Sequence, residues 1–456
     1  DNETDNYLQD NYQLIYSLNI SPYLNFHAAM HYTHGSGYYE EYGEDQPYAD
    51  YGLPPVVIDT VQITSTDLIR RKWLKNDFYG IVYSLAFKKN RIDALIGGSA
   101  NNYSGDHYGQ IIWMRNAGLT EKDYQWYFNS GVKGEFNIYG RVNYRMTEKL
   151  SAYGDLQYRH ISYRMKGPDD DLRDISQSHF YNFVNPKAGI YFSVSPRQDA
   201  YLSFSVAHKE PTRADFKEAS GDPDATPRAE TLFDAEAGYL LKAGRGSFGL
   251  NLYGMFYNDQ LVPTGQLSNV GYPIMTNVPD SYRAGIELTA HIRPLRKLDW
   301  NVTATLSRNK ILGFTEYYTE YAPDGSSLYT GKYLGTTYIS YSPGITGSSD
   351  LAYSFSDYLD IHLVSKYVGR QYFDNTMSTN RMISPYFFNN LHLDFSPQVK
   401  KIRGIELRLS VNNVLNNLYS SNAYGGFWYE EGTEKTWAYY FPQAGINFLL
   451  AVGLRF

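Results

Sequence analysis

The sequence predicts an all-β protein, a transmembrane antiparallel β-barrel that takes up residues 1–456. Three observations predict it. Apolar residues recur at every second position, the connections alternate between short and long, and the chain contains 46 tyrosines. A period of two is the strand period. Outer-membrane barrels combine these features, because one face of each strand meets lipid, the turns at one end are tight, and aromatic girdles mark both membrane interfaces.

The two faces of the predicted strands differ in polarity. In 283–292 (RAGIELTAHI), Ile286 and Leu288 share one face, and Glu287 and Thr289 share the other. Charged residues recur on the second face of many strands, so that face must be wet and the apolar face must meet lipid. We therefore predict a lipid-facing set and a lumen-facing set. The lipid-facing set is Leu450, Val452, Leu454 and Phe456, and the lumen-facing set is Glu287, Thr289 and Arg408.

The alternation predicts seventeen strands. They cover residues 11–19, 23–34, 71–87, 91–103, 126–145, 150–165, 180–194, 199–208, 230–242, 247–257, 281–293, 299–311, 340–354, 358–370, 386–396, 404–413 and 446–456. Long loops are predicted at 35–70, 104–125, 167–179, 209–230, 259–281, 312–340, 371–386 and 413–445. An up-and-down barrel closes with an even number of strands. An odd count therefore predicts that this chain is the C-terminal portion of a larger barrel.

Composition excludes several classes of protein. There is no cysteine, which excludes disulfides, thiolate metal sites and cysteine nucleophiles. A net charge of -7 argues against a nucleic-acid partner, whose binding surface would be basic. The longest apolar run, FLLAVGL, has seven residues, far fewer than the roughly 20 that a membrane helix needs.

Enzyme motifs are missing from the sequence. It has neither a G-x-S-x-G elbow nor an H-E-x-x-H zinc motif. The segment 244–249 (GRGSFG) matches G-x-G-x-x-G, but it lies in a tight turn before a strand, where no helix N-terminus would meet a pyrophosphate. We predict that the protein is not an enzyme and has no bound cofactor of its own.

Two groups of side chains raise the question of a metal. His27 and His31 share a strand face with His34 just beyond, which suits either a metal or haem iron or an ordinary wet face. The acidic stretches 38–50 and 167–174 offer the oxygen ligands that calcium prefers, but without the spacing of a calcium loop. Ordinary polar residues are the interpretation that we favour for both groups.

Aromatic residues in the long loops are the best candidates for a ligand site. Some would belong to membrane girdles, and the others would be costly to expose without a use. The aromatic-loop candidates are Tyr38, Tyr39, Tyr42, Tyr103, His107, Tyr108, Tyr317, Tyr318, Tyr321, Tyr424, Phe427, Trp428 and Tyr429. Arg213, Arg370 and Arg381 lie at or near loop bases. Stacked rings with a few cations suit a bulky, partly aromatic, anionic ligand.

Several segments resemble TonB-dependent outer-membrane receptors. They are SVAHKEPTRADF (205–216), AETLFDAEAGY (229–239), NVPDSYRAGIEL (277–288), VNNVLNNLY (411–419) and the ending FPQAGINFLLAVGLRF (441–456). The resemblance implies a 22-stranded barrel around an N-terminal plug, so that seventeen strands here and five elsewhere complete it. It also implies that the terminal Phe456 belongs to the signal that the barrel-assembly machinery reads.

The resemblance further implies a location, partners and a function. The location is the bacterial outer membrane. The partners are outer-membrane lipids, TonB–ExbB–ExbD reached through a plug outside this chain, and in some relatives a surface lipoprotein. The function is active import of a scarce bulky nutrient, above all a ferric siderophore, with iron present only inside that ligand.

Other functions stay open at this point. A corrinoid such as vitamin B12 would suit the same architecture. Haem is less favoured, because the segment 209–230 lacks the F-R-A-P and N-P-N-L motifs of haem receptors and has no histidine. A passive porin would explain a barrel but not the odd strand count, and a soluble carbohydrate-binding β-protein would have to be extractable without detergent.

Overall fold

The computed structural model describes residues 3–219, 226–268, 271–397 and 404–455. The chain divides into two compact units. Unit 1 comprises Asp1–Arg145, Tyr153–Lys187 and Thr212–Thr226, and unit 2 comprises Met146–Ala152, Ala188–Pro211 and Pro227–Phe456. Among the described residues, no helix has the length and apolar character needed to cross a membrane.

Unit 1 is built on long antiparallel strands. They are β1 (Thr4–Ser21), β2 (Leu24–Pro47), β3 (Val56–Ile58), β4 (Val61–Ile63), β5 (Ser65–Lys89), β6 (Ile92–Met114), β7 (Tyr124–Arg145), most of β8 (Leu150–Lys166) and the first part of β9 (Gln177–Ser195). The ladders run β1–β2–β5–β6–β7, and β3 pairs with β4. A 3-10 helix (Tyr48–Tyr51) and a short helix α1 (Arg213–Glu218) complete the unit.

Unit 2 contains the remaining strands. They are β10 (Gln198–Lys209), β11 (Glu230–Ala243), β12 (Gly246–Leu267), β13 (Pro273–Leu295), β14 (Leu298–Tyr321), β15 (Ser327–Tyr338), β16 (Ile345–Ser356), β17 (Leu359–Val368), β18 (Gln371–Tyr372), β19 (Met382–Ile383), β20 (Tyr386–Phe395), β21 (Gly404–Asn412), β22 (Ser420–Glu430), β23 (Thr433–Pro442) and β24 (Asn447–Arg455). The antiparallel ladders run β10–β11–β12–β13–β14–β16–β17–β20–β21–β24.

The prediction of an all-β antiparallel fold is confirmed, and each of the seventeen predicted strands has a counterpart. The sheet has 20 strands in all. The additional three are β15, which pairs with β14, and the hairpin of β22 and β23. The helix α1 is the one α-helix in the part of the chain that the structure describes.

The predicted long loops were wrong in extent. The segment 35–70 is strand up to Pro47 and again from Ser65, and 312–340 and 413–445 contain β15, β22 and β23. The apolar alternation ends where neither face meets lipid, but the backbone ladder continues, for example through the pairs Tyr38–Trp73 and Tyr42–Ile69. Backbone hydrogen bonds do not require an apolar face, so these extensions carry no alternating signal.

The predicted register is confirmed for the described residues. Glu287 pairs with Asn251 and Thr305, and the Asn251 side-chain amide donates a hydrogen bond to the Glu287 carboxylate at 3.2 Å. Ile286 lies on the other face and is 40% exposed. On β24, Leu450, Val452 and Leu454 share one exposed face. Arg408 pairs with Ala451, lies on the opposite face and binds Asp394. Phe456 lies outside the described residues.

Placing arginine at Val452 is expected to cost about 2–4 kcal/mol of folding free energy if the position lies near the bilayer midplane. Val452 is 59% exposed on the apolar face of β24. The measurement is equilibrium folding into lipid vesicles. Leu449→Arg is the matched control, because Leu449 is similarly exposed on the opposite face. Equal losses in the two variants would contradict the assignment of the faces.

Candidate functional site

In unit 1, helix α1 is held by its cap and by one buried ring. The Thr212 hydroxyl accepts a hydrogen bond from the backbone N–H of Asp215, and the Asp215 carboxylate accepts one from the backbone N–H of Thr212. Phe216 is 1% exposed and packs with Tyr163, Met165 and Ile175. A capping box of this kind satisfies two N-terminal donors and fixes where a helix starts. The helix therefore has a defined position, and Arg213 lies at its first turn.

An ion-pair network connects α1 with the segment 167–176 and with β5. The Lys217 ammonium lies 2.7 Å from Asp169 and 3.7 Å from Asp170, and the Lys72 ammonium lies 2.8 Å from Asp170. The Arg213 guanidinium donates to the Asn129 side-chain oxygen at 2.7 Å. Burial alone would raise the pKa of Asp170, but Lys72 and Lys217 outweigh it and hold that pKa below its usual value.

The acidic stretches are balanced by basic side chains. Asp169, Asp170 and Asp171 form the one group in the described residues whose ligand atoms converge closely enough for a metal ion. Lysine ammonium groups already contact two of them. In the stretch 38–50, Arg71 and Arg70 pair with Glu40 and Glu41. These contacts favour the interpretation of ordinary polar residues.

The three histidines of the predicted metal group are separated by the strand geometry. The His31 ring lies 3.1 Å from the Asn101 side-chain oxygen, and the His34 ring lies 2.9 Å from Asp77. His27 contacts the Ser17 hydroxyl at 3.0 Å. His27 and His31 share a face of β2, whereas His34 lies on the other, so each ring has its own local partner.

The register divides the predicted aromatic residues of unit 1 between the two faces of the sheet. Tyr39 pairs with Lys72, and His107 pairs with Asn129, which puts both on the face that carries the ion-pair network. Tyr103 lies four residues before His107 on β6 and shares that face. Tyr39, Tyr103, His107 and Arg213 are thus brought to one face of unit 1.

Tyr38 and Tyr108 lie on the opposite face. Their rings alternate with Trp73 in a row, with centroids 4.6 Å and 5.8 Å apart, and Phe128 continues it at 6.3 Å. Phe136 lies eight residues after Phe128 on the same face of β7 and is exposed. Tyr42 shares this face, and its hydroxyl donates to Asp67 at 2.6 Å. A row of rings above an apolar band is the arrangement of an interfacial girdle.

Acidification is expected to release the segment 167–176 before the strands unfold. Because the pKa of Asp170 is lowered in the folded chain, its contribution is present above the ordinary aspartate pKa of about 4 and is lost as the pH falls through the folded value. Hydrogen exchange of 167–176 measured at falling pH checks this. Lys72→Met should give fast exchange already at neutral pH, and Lys88→Met, an exposed lysine on the same strand, should not. Protection factors of 167–176 that do not change as the pH falls would contradict a role for the Asp170 ion pairs in holding this segment.

In unit 2, a buried arginine gathers three carboxylates. Arg381 is 2% exposed, and its guanidinium lies 2.8 Å from Glu316, 2.8 Å from Asp374 and 3.4 Å from Glu434. The ring of Phe427 lies 3.7 Å from the guanidinium carbon. Arg381 is therefore engaged on several sides by groups of the chain itself.

Most of the aromatic candidates of unit 2 pack against other rings. Tyr318 packs against Tyr429 with ring centroids 4.3 Å apart, and Phe427 lies next to both. Tyr317 stacks on Tyr329 at 6.0 Å. A two-residue parallel ladder joins β14 to β22 and pairs Tyr321 with Glu430. The loops predicted at 312–340 and 413–445 therefore meet in this unit.

The remaining candidates of unit 2 are Trp428, Tyr424 and Arg370. The Trp428 indole N–H donates to Glu430 at 2.8 Å, and Tyr424 packs against Trp437 and Tyr439. Arg370 is exposed, with its guanidinium carbon 5.7 Å from the ring of Tyr372.

Two cavities open beside these groups. One of about 420 Å³ is lined by Glu316 and Asp374 and by the rings of Phe314, Tyr317, Tyr329 and Phe427. The other, of about 660 Å³, has an uncharged lining that includes Tyr341, Gln371, Tyr424 and Phe441. Cavities of this size suit small-molecule ligands. The two differ in charge, so they would select different chemistry.

Comparison with known proteins identifies the fold. The chain resembles the ferric-catecholate import receptor Fiu from E. coli (TM-score 0.68, 13% identity, 100% of this chain and 65% of Fiu). It resembles the siderophore receptor PiuA from Acinetobacter baumannii (0.66, 13%, 98% and 64%) and the copper transporter OprC (0.70, 12%, 98% and 65%). The chain thus spans a little under two thirds of each protein's length. No curated protein matches the sequence significantly.

The sequence also matches a protein family, which is stronger evidence than structural similarity at 12–13% identity. The profile described as TonB dependent receptor-like, beta-barrel matches residues 1–414. This range covers most of the chain, including all of unit 1 and the part of unit 2 up to residue 414, with Arg213 and Arg381 inside it. The chain therefore belongs to the TonB-dependent receptor-like β-barrel family, a family of outer-membrane barrels.

Proposed function

We propose that this chain is the barrel portion of an energised outer-membrane receptor that imports a ferric siderophore. Two of the similar structures, Fiu and PiuA, are described as a ferric-catecholate import receptor and a siderophore receptor. The observation in this chain that carries the proposal is the group of Arg213, Tyr103 and His107 on the polar face of unit 1. Iron would enter only as part of the chelated ligand.

Arg213 is the cation that such a ligand would meet. Its side chain is 27% exposed, and among the described residues its guanidinium Nε has no hydrogen-bond partner. It lies near enough to Tyr103, His107 and Tyr163 to influence their protonation. Nearby Lys72 and Lys217 lie 2.8 Å from Asp170 and 2.7 Å from Asp169, whereas the Arg213 guanidinium lies 4.0 Å from Asp169, so Arg213 is the least tightly paired cation of the three. Cation and rings together suit an anionic, partly aromatic chelate.

The coupling partners follow from the family. We propose that an N-terminal plug and five further strands complete a 22-stranded barrel, and that the plug engages TonB–ExbB–ExbD. The seventeen strands that correspond to the predicted set and the share of each relative that the chain covers support this organisation. Lipids of the outer membrane would cover the apolar face, where the row of Tyr38, Trp73 and Tyr108 would lie above the lipid band.

Arg213→Ala is expected to weaken binding of a ferric catecholate by at least about tenfold, because one charge-assisted contact typically contributes more than 1.4 kcal/mol. The measurement is equilibrium affinity on the detergent-purified, complete receptor. A neutral ferric hydroxamate should be affected less than the anionic catecholate. Arg228→Ala is the matched control, since Arg228 is exposed in unit 2 and pairs with Asp259. Equal affinity of the Arg213 variant and the control variant for the catecholate would contradict the proposal.

A further inference from the structure

The cavity of about 420 Å³ in unit 2 has an acidic lining. Glu316 and Asp374 contribute carboxylates, each about 5% exposed or less, and none of the described lysines or arginines lines the space. Asn277 and Asn375 add amide groups, which can donate or accept. The electrostatic character of this wall is therefore set by the two carboxylates.

The positive charge behind that wall is too small to balance it. Arg381 is shared among Glu316, Asp374 and Glu434, so that one guanidinium faces three carboxylates. Its aromatic neighbour Phe427 carries no charge. A buried group with excess negative charge is costly unless another cation approaches it.

Aromatic rings form the other wall of the same cavity. Tyr317 and Tyr329 stack on one another at its edge, and both are well exposed, at 61% and 71%. Phe314 and Phe427 lie deeper in the lining. Faces of aromatic rings attract cations and also shield an apolar body from water.

We infer that this cavity binds an organic cation, with an ammonium or guanidinium group against Glu316 and Asp374 and an aromatic or aliphatic body between the rings. The charge is opposite to that of the ligand expected at Arg213 in unit 1. The inference does not depend on siderophore import, because it concerns equilibrium binding to residues of unit 2 alone.

A metal ion suits this cavity less well than an organic cation. Within the described residues, Glu316, Asp374 and Glu434 do not bring their ligand oxygens together as a metal ion requires. Burial raises the pKa of Asp374, and the Arg381 guanidinium beside it offsets that rise only in part. A second cation with a delocalised or shielded charge, at the mouth of the cavity, would stabilise the Asp374 carboxylate.

Three probes of one size and different charge test the inference. They are phenethylamine, phenethyl alcohol and phenylacetate, titrated calorimetrically into the complete, detergent-purified receptor. Phenethylamine should bind at least about tenfold more tightly than the alcohol, and phenylacetate should bind most weakly. Glu316→Gln keeps an acceptor for Arg381 but removes a charge, so it should reduce the preference for the amine to about threefold or less.

A second variant and a control keep the result interpretable. Tyr329→Ala removes an exposed ring that stacks on Tyr317 and should weaken phenethylamine binding about threefold or more. Glu287→Gln removes a carboxylate from the polar face of β13 and should change nothing. Equal affinity for the three probes, no binding of the amine, or an unaffected Glu316 variant would overturn the inference. Displacement of the amine by calcium would overturn it in favour of a metal site.

Discussion

Replacing Arg381 with methionine is expected to lower the free energy of unfolding of unit 2 by about 3–5 kcal/mol, because it leaves buried carboxylates without their counter-charge. Arg381 and its partners Glu316 and Asp374 are almost completely buried. The variant should show a lower urea midpoint in detergent, and hydrogen exchange should rise in β14 and β22, which the cluster joins to the segment 371–386.

Arg370→Met provides the matched comparison. Arg370 precedes the same segment but is exposed, and its aromatic contact with Tyr372 is loose. That variant should lose less than about 1 kcal/mol, as is usual for surface positions. A similar loss in both variants would contradict the view that Arg381 organises this region. Adding Glu316→Gln to the Arg381 variant should restore part of the stability, since one uncompensated charge is then removed.

Two aromatic residues of β22 are expected to affect the affinity for a ferric siderophore. Replacing Trp428 and Tyr429 together with alanine should weaken binding of a ferric siderophore by at least about tenfold, because aromatic anchors in desolvated positions typically contribute about 2 kcal/mol or more each. Tyr429 packs against Tyr318, and Trp428 lies on the other face of β22 with its indole on Glu430. The measurement is affinity on the purified double variant.

Heat-modifiable gel mobility is the folding control for that variant. The two side chains take no part in the backbone ladders of the sheet, so the barrel should assemble normally. Trp437→Ala is the comparison variant. Trp437 is an exposed ring of the same hairpin, but it packs on Tyr424. Unchanged affinity in a folded double variant would exclude this hairpin from siderophore binding and leave the group around Arg213 or the proposed plug.

Much of the fold was predictable from the sequence because lipid imposes its own pattern. Where one face must be apolar, as at Ile286 and Val452, alternation reveals both the strand and its register. Above that band the pattern disappears, although the ladders of β2 and β5 continue to Pro47 and Ser65. The hairpin of β22 and β23 was missed for the same reason, because both of its faces carry polar and aromatic side chains.

The candidate sites were less predictable. Strand parity alone separates Tyr38 from Tyr39, but only a known register shows which of them shares a face with Lys72. The acidic cluster was not visible in the sequence, because Glu316 and Asp374 lie 65 and 7 residues from Arg381 along the chain. Charge clusters assembled from distant segments leave no local motif.

Energy-dependent uptake distinguishes an energised importer from a passive pore. Cells that produce the complete receptor are supplied with a radiolabelled ferric siderophore, with and without a protonophore, and beside cells that lack TonB. We expect accumulation that stops when either the proton-motive force or TonB is removed. Accumulation that continues unchanged without them would indicate a passive pore and contradict the assignment as an energised importer.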